Sequence, residues 1–111
     1  MVNTELQQSK AHITVEIIEY IPETIGIKTI LKKSTGKFSV TSVNSGGMLT
    51  ERTTFLDTFV TIIDGKADIV IDGKSNLIVC GQSIVIPAQI PHFVKPNGRF
   101  KMILAVIKTD Q

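Results

Sequence analysis

The amino-acid sequence predicts an all-β protein, on two observations. Isoleucine, valine and threonine together supply 39 of the 111 residues, and β-branched side chains fit a pleated sheet better than a helix. In addition, turn sequences built from glycine with aspartate, asparagine or serine interrupt the apolar runs at close intervals. Many short strands joined by close turns are typical of a β-sandwich or a closed β-barrel, and closure removes exposed sheet edges.

The first thirty residues are predicted to form an extended arm. Ile13, Val15 and Ile17 alternate with polar residues as they would in a strand, whereas residues 16–20 could equally form a helical turn. The sequence leaves these two alternatives open.

The middle of the chain contains two Asp-Gly pairs, Asp64-Gly65 and Asp72-Gly73. Both residue types tolerate the positive φ of a type I′ turn, so each pair predicts a β-hairpin. Residues 66–71 lie between the pairs, with apolar runs at 59–63 and 77–79. The pattern predicts an antiparallel meander.

Three further strands are predicted near the C-terminus, at 83–86, 91–94 and 100–107. Proline cannot donate to a sheet ladder, so Pro87, Pro91 and Pro96 should lie at strand ends, edges or corners. Residues 102–107 are apolar at even and odd positions alike, so both faces of a strand there would be apolar. This pattern predicts a strand covered on both faces.

Composition excludes several classes of protein. The 12 Lys and Arg residues balance 10 Asp and Glu to a net charge of +2, without the clustered basic face that nucleic acid binding needs. No apolar run approaches the roughly 20 residues of a membrane span, and residues 1–10 are polar. Cys80, the single cysteine, can form no internal disulfide or zinc-ligand pair. We expect a cytoplasmic protein with no nucleic acid or membrane partner.

A frame of glycine, proline and histidine residues resembles the two-motif signature of the cupin superfamily. Its first motif lies between Gly46 and Gly65, and its second is carried by Gly81, Pro87 and His92. Three first-motif positions, which are two histidines and a glutamate in the family, carry other residues here: Arg52, Thr54 and Thr58. In the second motif, Gln89 and Pro96 stand where the family has glycine and asparagine. The resemblance implies a double-stranded β-helix (jelly-roll) cupin barrel with an N-terminal arm.

The resemblance covers nearly the whole chain, and we take residues 1–111 as one domain. Residues 1–34 would form the arm and first strands, and 35–107 the barrel. Small cupins commonly dimerise sheet against sheet. If Thr58 faces the interior, Phe59 and Thr61 form an opposite face that needs cover, so we expect a homodimer.

In metal-binding cupins, a divalent ion is bound by the residues at four motif positions. In this sequence those positions are Arg52, Thr54, Thr58 and His92. Catalytic zinc and iron sites generally take about three protein ligands, whereas His92 is the one imidazole left in the frame. Arg52 would add repulsion of about 4 kcal/mol for unit charges about 4 Å apart at an effective dielectric of about 20. His12, the other histidine, lies on the arm. We therefore expect no metal and no other cofactor.

The same positions predict a ligand site in the barrel. The guanidinium of Arg52 suits a carboxylate or phosphate, although it could instead pair with Glu51 or Asp57 or extend to the solvent at the barrel mouth. His92 could bind a ligand or be a structural histidine, and the threonines could bind a ligand or simply pack. Met102, Met48 and Phe38 could line the cavity or belong to the core. The predicted ligand-binding residues are Arg52, Thr54, Thr58, His92 and Met102.

Three functions are compatible with this site. The first is a module that binds a small polar or anionic organic molecule without a metal. The second is a cupin enzyme, either a metal-dependent oxygenase or isomerase or a metal-free acid/base enzyme with His92 as its candidate catalytic residue. Such an enzyme lacks an obvious second acid/base group unless the arm brings Tyr20 over the mouth. The third is assembly with another protein, because fold does not determine function.

Overall fold

The chain is almost entirely β-structure. The computed structural model describes residues 5–22, 24–44 and 56–107. Within these ranges there is one short 3-10 helix and there are six strands, and the all-β prediction is confirmed. The elements are the 3-10 helix Thr14–Glu16 and the strands β1 (Ile25–Lys33), β2 (Gly36–Val43), β3 (Asp57–Ile71), β4 (Lys74–Val79), β5 (Ser83–Ile86) and β6 (His92–Ile107).

The strands pair in the order β1-β2-β6-β3-β4, and β5 also pairs with β3. All pairings are antiparallel. The first half of β3 lies between β5 and the end of β6, whereas its second half lies between β4 and the beginning of β6. Two long strands that change neighbours midway bend the sheet over itself, which gives the predicted jelly-roll architecture with β1 and β4 at its edges.

The predicted hairpin at Asp64-Gly65 is wrong, because β3 runs through it as one strand. The register with β6 shifts on either side of Gly65, whose φ is +74°. A Cβ there would collide with the carbonyl oxygen of Arg99 and crowd Phe100. Glycine at this position therefore permits a bulge that bends the strand, rather than a chain reversal.

The second Asp-Gly pair forms a turn, as predicted. Asp72 and Gly73 have φ values of 50° and 79°, which match the positive φ of a type I′ turn. They join β3 to β4 with Ile71 opposite Lys74.

The two strands predicted at 91–94 and 100–107 are a single strand, β6. It bends where Pro96 pairs with Ala67 and Phe100 with Gly65, so Pro96 lies at a corner as expected. The end of β6 is not covered on both faces throughout, because Ile107 is 59% exposed.

The core lies on the inner face of the bent strands. Thr58, Val60 and Ile62 are buried and Phe59 is exposed, which confirms the predicted alternation along β3. Phe100 is the largest fully buried side chain. The core cluster consists of Val43, Val60, Ile62, Ala67, Ile69, Ile78, Ile86, Val94, Phe100 and Met102.

Candidate functional site

Two of the predicted ligand-binding residues, Thr58 and His92, lie on the inner face. Thr58 is 4% exposed and His92 is 8% exposed. Thr58 pairs with Ile86 on one side and Val106 on the other. His92 begins β6 opposite Ile71, which packs against the core cluster. Strand pairing therefore holds both polar side chains among apolar ones.

The polar atoms of these two side chains have few partners within the protein. Nδ1 of His92 lies 3.4 Å from the carbonyl oxygen of Ile90, at the long limit for a hydrogen bond. Among the described residues, the fully buried side-chain polar atom without a hydrogen-bond partner is Oδ1 of Asp68, and neither Nε2 of His92 nor the Thr58 hydroxyl is in that state. Both side chains nevertheless carry a polar group that is able to form a hydrogen bond with a ligand.

The other predicted site residues are placed differently. Arg52, Thr54 and Met48 lie outside the described residues. Met102 is 3% exposed and belongs to the core cluster, opposite Thr41 and Ile62. Phe38 is 43% exposed on β2, so the expectation that it lines the cavity or belongs to the core is wrong.

The described donor groups do not fit a catalytic divalent cation. Of the four family ligand positions, the two described ones carry a neutral hydroxyl, Thr58, and one imidazole, His92. No three His, Cys, Asp or Glu residues within 5–22, 24–44 and 56–107 are close enough to hold a metal ion. A site without metal stays a prediction.

Thr58 belongs to a row of directly opposite strand partners that crosses β6 and β2. This row ends at a cleft beside the β1–β2 hairpin. Lys32 pairs with Lys37, Lys37 with Val106, and Val106 with Thr58. The cleft has a volume of about 310 Å³ and is lined by Lys32, Lys33, Ser34, Gly36, Lys37, Leu56 and Val106. These lysines are not among the predicted site residues, although three lysines within the six residues 32–37 were a visible signal.

Tyr20 lies on the outer face and does not act in the barrel interior. Its hydroxyl donates to Oδ2 of Asp64 at 2.6 Å, and Asp64 pairs with Lys101. The Lys101 ammonium donates to the carbonyl oxygen of Val15 at 2.7 Å and lies 4.8 Å from the centroid of the Tyr20 ring. These contacts fix the arm to the sheet. Residues 14–16 form a 3-10 helix, so the strand alternative for this segment is wrong.

Partial burial and the hydrogen bond to Asp64 both raise the pKa of Tyr20 well above its usual range. Tyr20 is the single tyrosine and the chain has no tryptophan, so alkaline absorbance titration reports on it alone. We expect the phenolate to form only well above pH 10, the ordinary midpoint being about 10. Because the pKa is higher in the folded state, the stability contributed by neutral Tyr20 is complete below about pH 10 and falls as pH rises further.

In Asp64→Asn, the Tyr20 midpoint should fall towards its ordinary value, because the acceptor carboxylate and its charge are removed. Circular dichroism over the same pH range serves as the control for folding. If the folded wild-type protein already titrated with the ordinary midpoint of tyrosine, this result would contradict the contact between Tyr20 and Asp64.

Several solved structures are similar to this chain, whereas no protein-family model and no curated protein matches it. A conserved protein of unknown function from Streptococcus pyogenes is 25% identical, with a TM-score of 0.90 over 100% of this chain and 97% of that one. A cupin 2 conserved barrel domain protein from Leptotrichia buccalis is 33% identical, with a TM-score of 0.80 over 85% of this chain and 46% of that one. A cupin superfamily protein from Desulfitobacterium hafniense is 23% identical, with a TM-score of 0.88 over 98% of this chain and 100% of that one.

The bent antiparallel strands define a jelly-roll barrel, and the buried side chains of Thr58 and His92 on their inner face mark a candidate interior site. Together with the structural matches, they identify the class of this protein. The chain is a small cupin-fold protein. In the described ranges, no helix is sufficiently long and apolar to span a membrane.

Proposed function

We propose that the barrel binds a small polar or anionic organic molecule without a metal. The observation that carries this proposal is the burial of two polar side chains, Thr58 and His92, on the inner face beside the apolar core cluster. Thr29 and Thr41 are also buried on this face. Ligand sites of this kind combine apolar walls with a few polar groups that fix orientation. The imidazole of His92 would donate to or accept from the ligand, and Thr58 would supply a hydroxyl.

The substitution of threonine for the family glutamate favours a ligand with negative charge. A carboxylate at position 58 would repel an anion across the barrel, whereas the hydroxyl of Thr58 can donate to it. Arg52, if it faces the interior as its position in the first motif implies, would add a guanidinium to the same site.

Native mass spectrometry with metal analysis tests the proposal on protein purified without added metal. We expect no stoichiometric metal and either a retained organic molecule or stabilisation by members of a panel of small carboxylates and phosphate esters. Stoichiometric iron, manganese, nickel or zinc would overturn the metal-free site.

The substitution His92→Gln should weaken the binding of the retained or stabilising ligand by about tenfold, as expected for loss of a hydrogen bond to a charged group. The measurement is isothermal titration calorimetry on the full chain. His12→Gln is the matched control, because His12 lies on the arm and contacts the carbonyl oxygen of Gln7 at 3.0 Å. Equal affinity in the two variants would show that His92 is not in the binding site.

We also propose that the protein is a homodimer, supported by an apolar row across the outer face. One side chain comes from each of five paired strands. Phe38, Phe59 and Val85 in this row are 43%, 44% and 55% exposed. The row consists of Leu31, Phe38, Ala105, Phe59 and Val85.

A second copy is the occupant we propose for this row, because a twofold interface lets one apolar patch cover itself. Exposed contiguous apolar surface on a globular protein commonly marks an interface.

We further propose that the protein acts in the cytoplasm, with neither nucleic acid nor membrane as partner. The exposed free thiol of Cys80 is compatible with a reducing compartment. The balanced charge of the chain supports the absence of nucleic acid binding.

A further inference from the structure

The strand register places two lysines directly opposite each other at the end of the β1–β2 hairpin. Lys32 is the partner of Lys37, and Lys37 is also the partner of Val106. Cross-strand partners project to the same face of a sheet. Val106 lies on the same face of β6 as Met102, a member of the core cluster, so both lysines continue the inner row of the strands. At this end of the sheet both lysines are exposed.

The cleft at this place combines an apolar wall with a basic rim. Leu56 and Val106 are apolar residues of its lining, and Lys32, Lys33 and Lys37 are its basic residues. Its volume of about 310 Å³ is at the lower end of the range for small-molecule sites. We call this feature the lysine cleft.

The charges of the lysine cleft are not neutralised by the described part of the protein. None of the three lysines has an ion-pair partner among the residues that the structure describes. Asp57 is near the same end of the sheet, but it pairs with the outer-face residue Ile107. One of its carboxylate oxygens accepts a hydrogen bond from the Ala88 amide at 2.8 Å. Like charges directly opposite in a sheet are destabilising, and an anion between them would remove that cost.

Protection of a sheet edge does not account for the cluster. Lysines are common on edge strands because they discourage pairing with another chain, and β1 is an edge strand. Lys37, however, belongs to β2, which is paired on both sides, with β1 and with β6. Its position across from Lys32 therefore needs another explanation.

We propose that the lysine cleft binds the phosphate group of a small molecule. A phosphate is close to dianionic at neutral pH and presents several acceptor oxygens, which suits ammonium donors on two adjacent strands. The source is either free phosphate or a phosphate monoester whose carbon atoms contact Leu56 and Val106. The inference does not depend on the barrel ligand, because the site uses neither Thr58 nor His92.

Amide NMR titration of the full chain with inorganic phosphate, glycerol phosphate and glycerol tests the proposal. We expect saturable shifts confined to residues 32–37 and their neighbours on β6 with both phosphates, and none with glycerol. Tighter binding of glycerol phosphate would identify the ester as the ligand class, and equal binding would identify free phosphate. Shifts spread over the whole surface would overturn the site.

Lysine variants complete the experiment. Lys37→Gln should weaken phosphate binding about threefold to fivefold, the effect of losing one exposed ion pair, and Lys32→Gln/Lys37→Gln should abolish saturable binding. Lys74→Gln is the matched control, since Lys74 is exposed at the start of β4 and its loss should leave binding unchanged. Equal weakening by Lys74→Gln would indicate a general charge effect and overturn the proposal.

The variant His92→Gln separates this inference from the proposed barrel function. Its titration with inorganic phosphate, followed at residues 32–37, should equal that of the wild type. Loss of phosphate binding in His92→Gln with retained binding in Lys37→Gln would assign the anion to the barrel interior and overturn the lysine cleft.

Discussion

The substitution Phe59→Asp is expected to convert the homodimer into monomers. Phe59 is 44% exposed and pairs with Ala105 and Val85 at the centre of the outer apolar row. A twofold interface contains the residue twice, so loss of about 2 kcal/mol per copy weakens association by about a thousandfold. The aspartate adds a charge that the interface cannot solvate.

Sedimentation velocity at micromolar concentration measures this effect. The matched control is Val79→Asp, because Val79 on β4 is 39% exposed and pairs with Lys66 of β3, outside the row. Thermal unfolding of both variants checks that the fold survives. A wild-type protein that is a monodisperse monomer under these conditions would refute the homodimer.

The substitution Gly65→Ala is expected to destabilise the barrel by about 3 kcal/mol, of which about 1–2 kcal/mol comes from the left-handed backbone and the rest from overpacking. The added methyl group would meet the Arg99 carbonyl and the Phe100 backbone and side chain, and Phe100 is fully buried. For a domain of this size the melting temperature should fall by about 15 °C.

The control for this effect is Gly73→Ala. Gly73 has a φ of +79°, and a Cβ at that position would meet no heavy atom within 4 Å. This variant should lose about 1 kcal/mol, the backbone cost alone. Chemical denaturation of both variants gives the two free energies of unfolding. Equal losses would show that the close approach of β6 to Gly65 does not contribute.

The proposed functions place different chemistry at different parts of one barrel. The inner face offers the buried hydroxyl of Thr58 and the buried imidazole of His92, and the hairpin end offers ammonium groups at Lys32 and Lys37. The two regions are joined through Val106, which pairs with both Lys37 and Thr58. A molecule with an anionic end and a polar body could therefore use both regions, whereas inorganic phosphate would use the lysine cleft alone.

The candidate site was predicted in part from the sequence. The period of two along a strand was sufficient to place Thr58 with Val60 and Ile62 on one face of the strand, and burial in the structure shows that this is the inner face. The resemblance to the cupin motifs directed attention to His92, which the structure finds buried. The lysine cleft was not predicted, because the partnership of Lys32 with Lys37 depends on a register that shifts between Thr29 and Leu31.

The sequence by itself determined the all-β class and the turn at Asp72-Gly73, because both depend on local preferences of side chain and backbone. Only the tertiary structure decided that the identical dipeptide Asp64-Gly65 is a bulge. The approach of Arg99 and Phe100 from β6 makes glycine necessary there, and no local pattern contains that contact. In the same way, the long-range hydrogen bond to Asp64 determined that Tyr20 fixes the arm to the outer face.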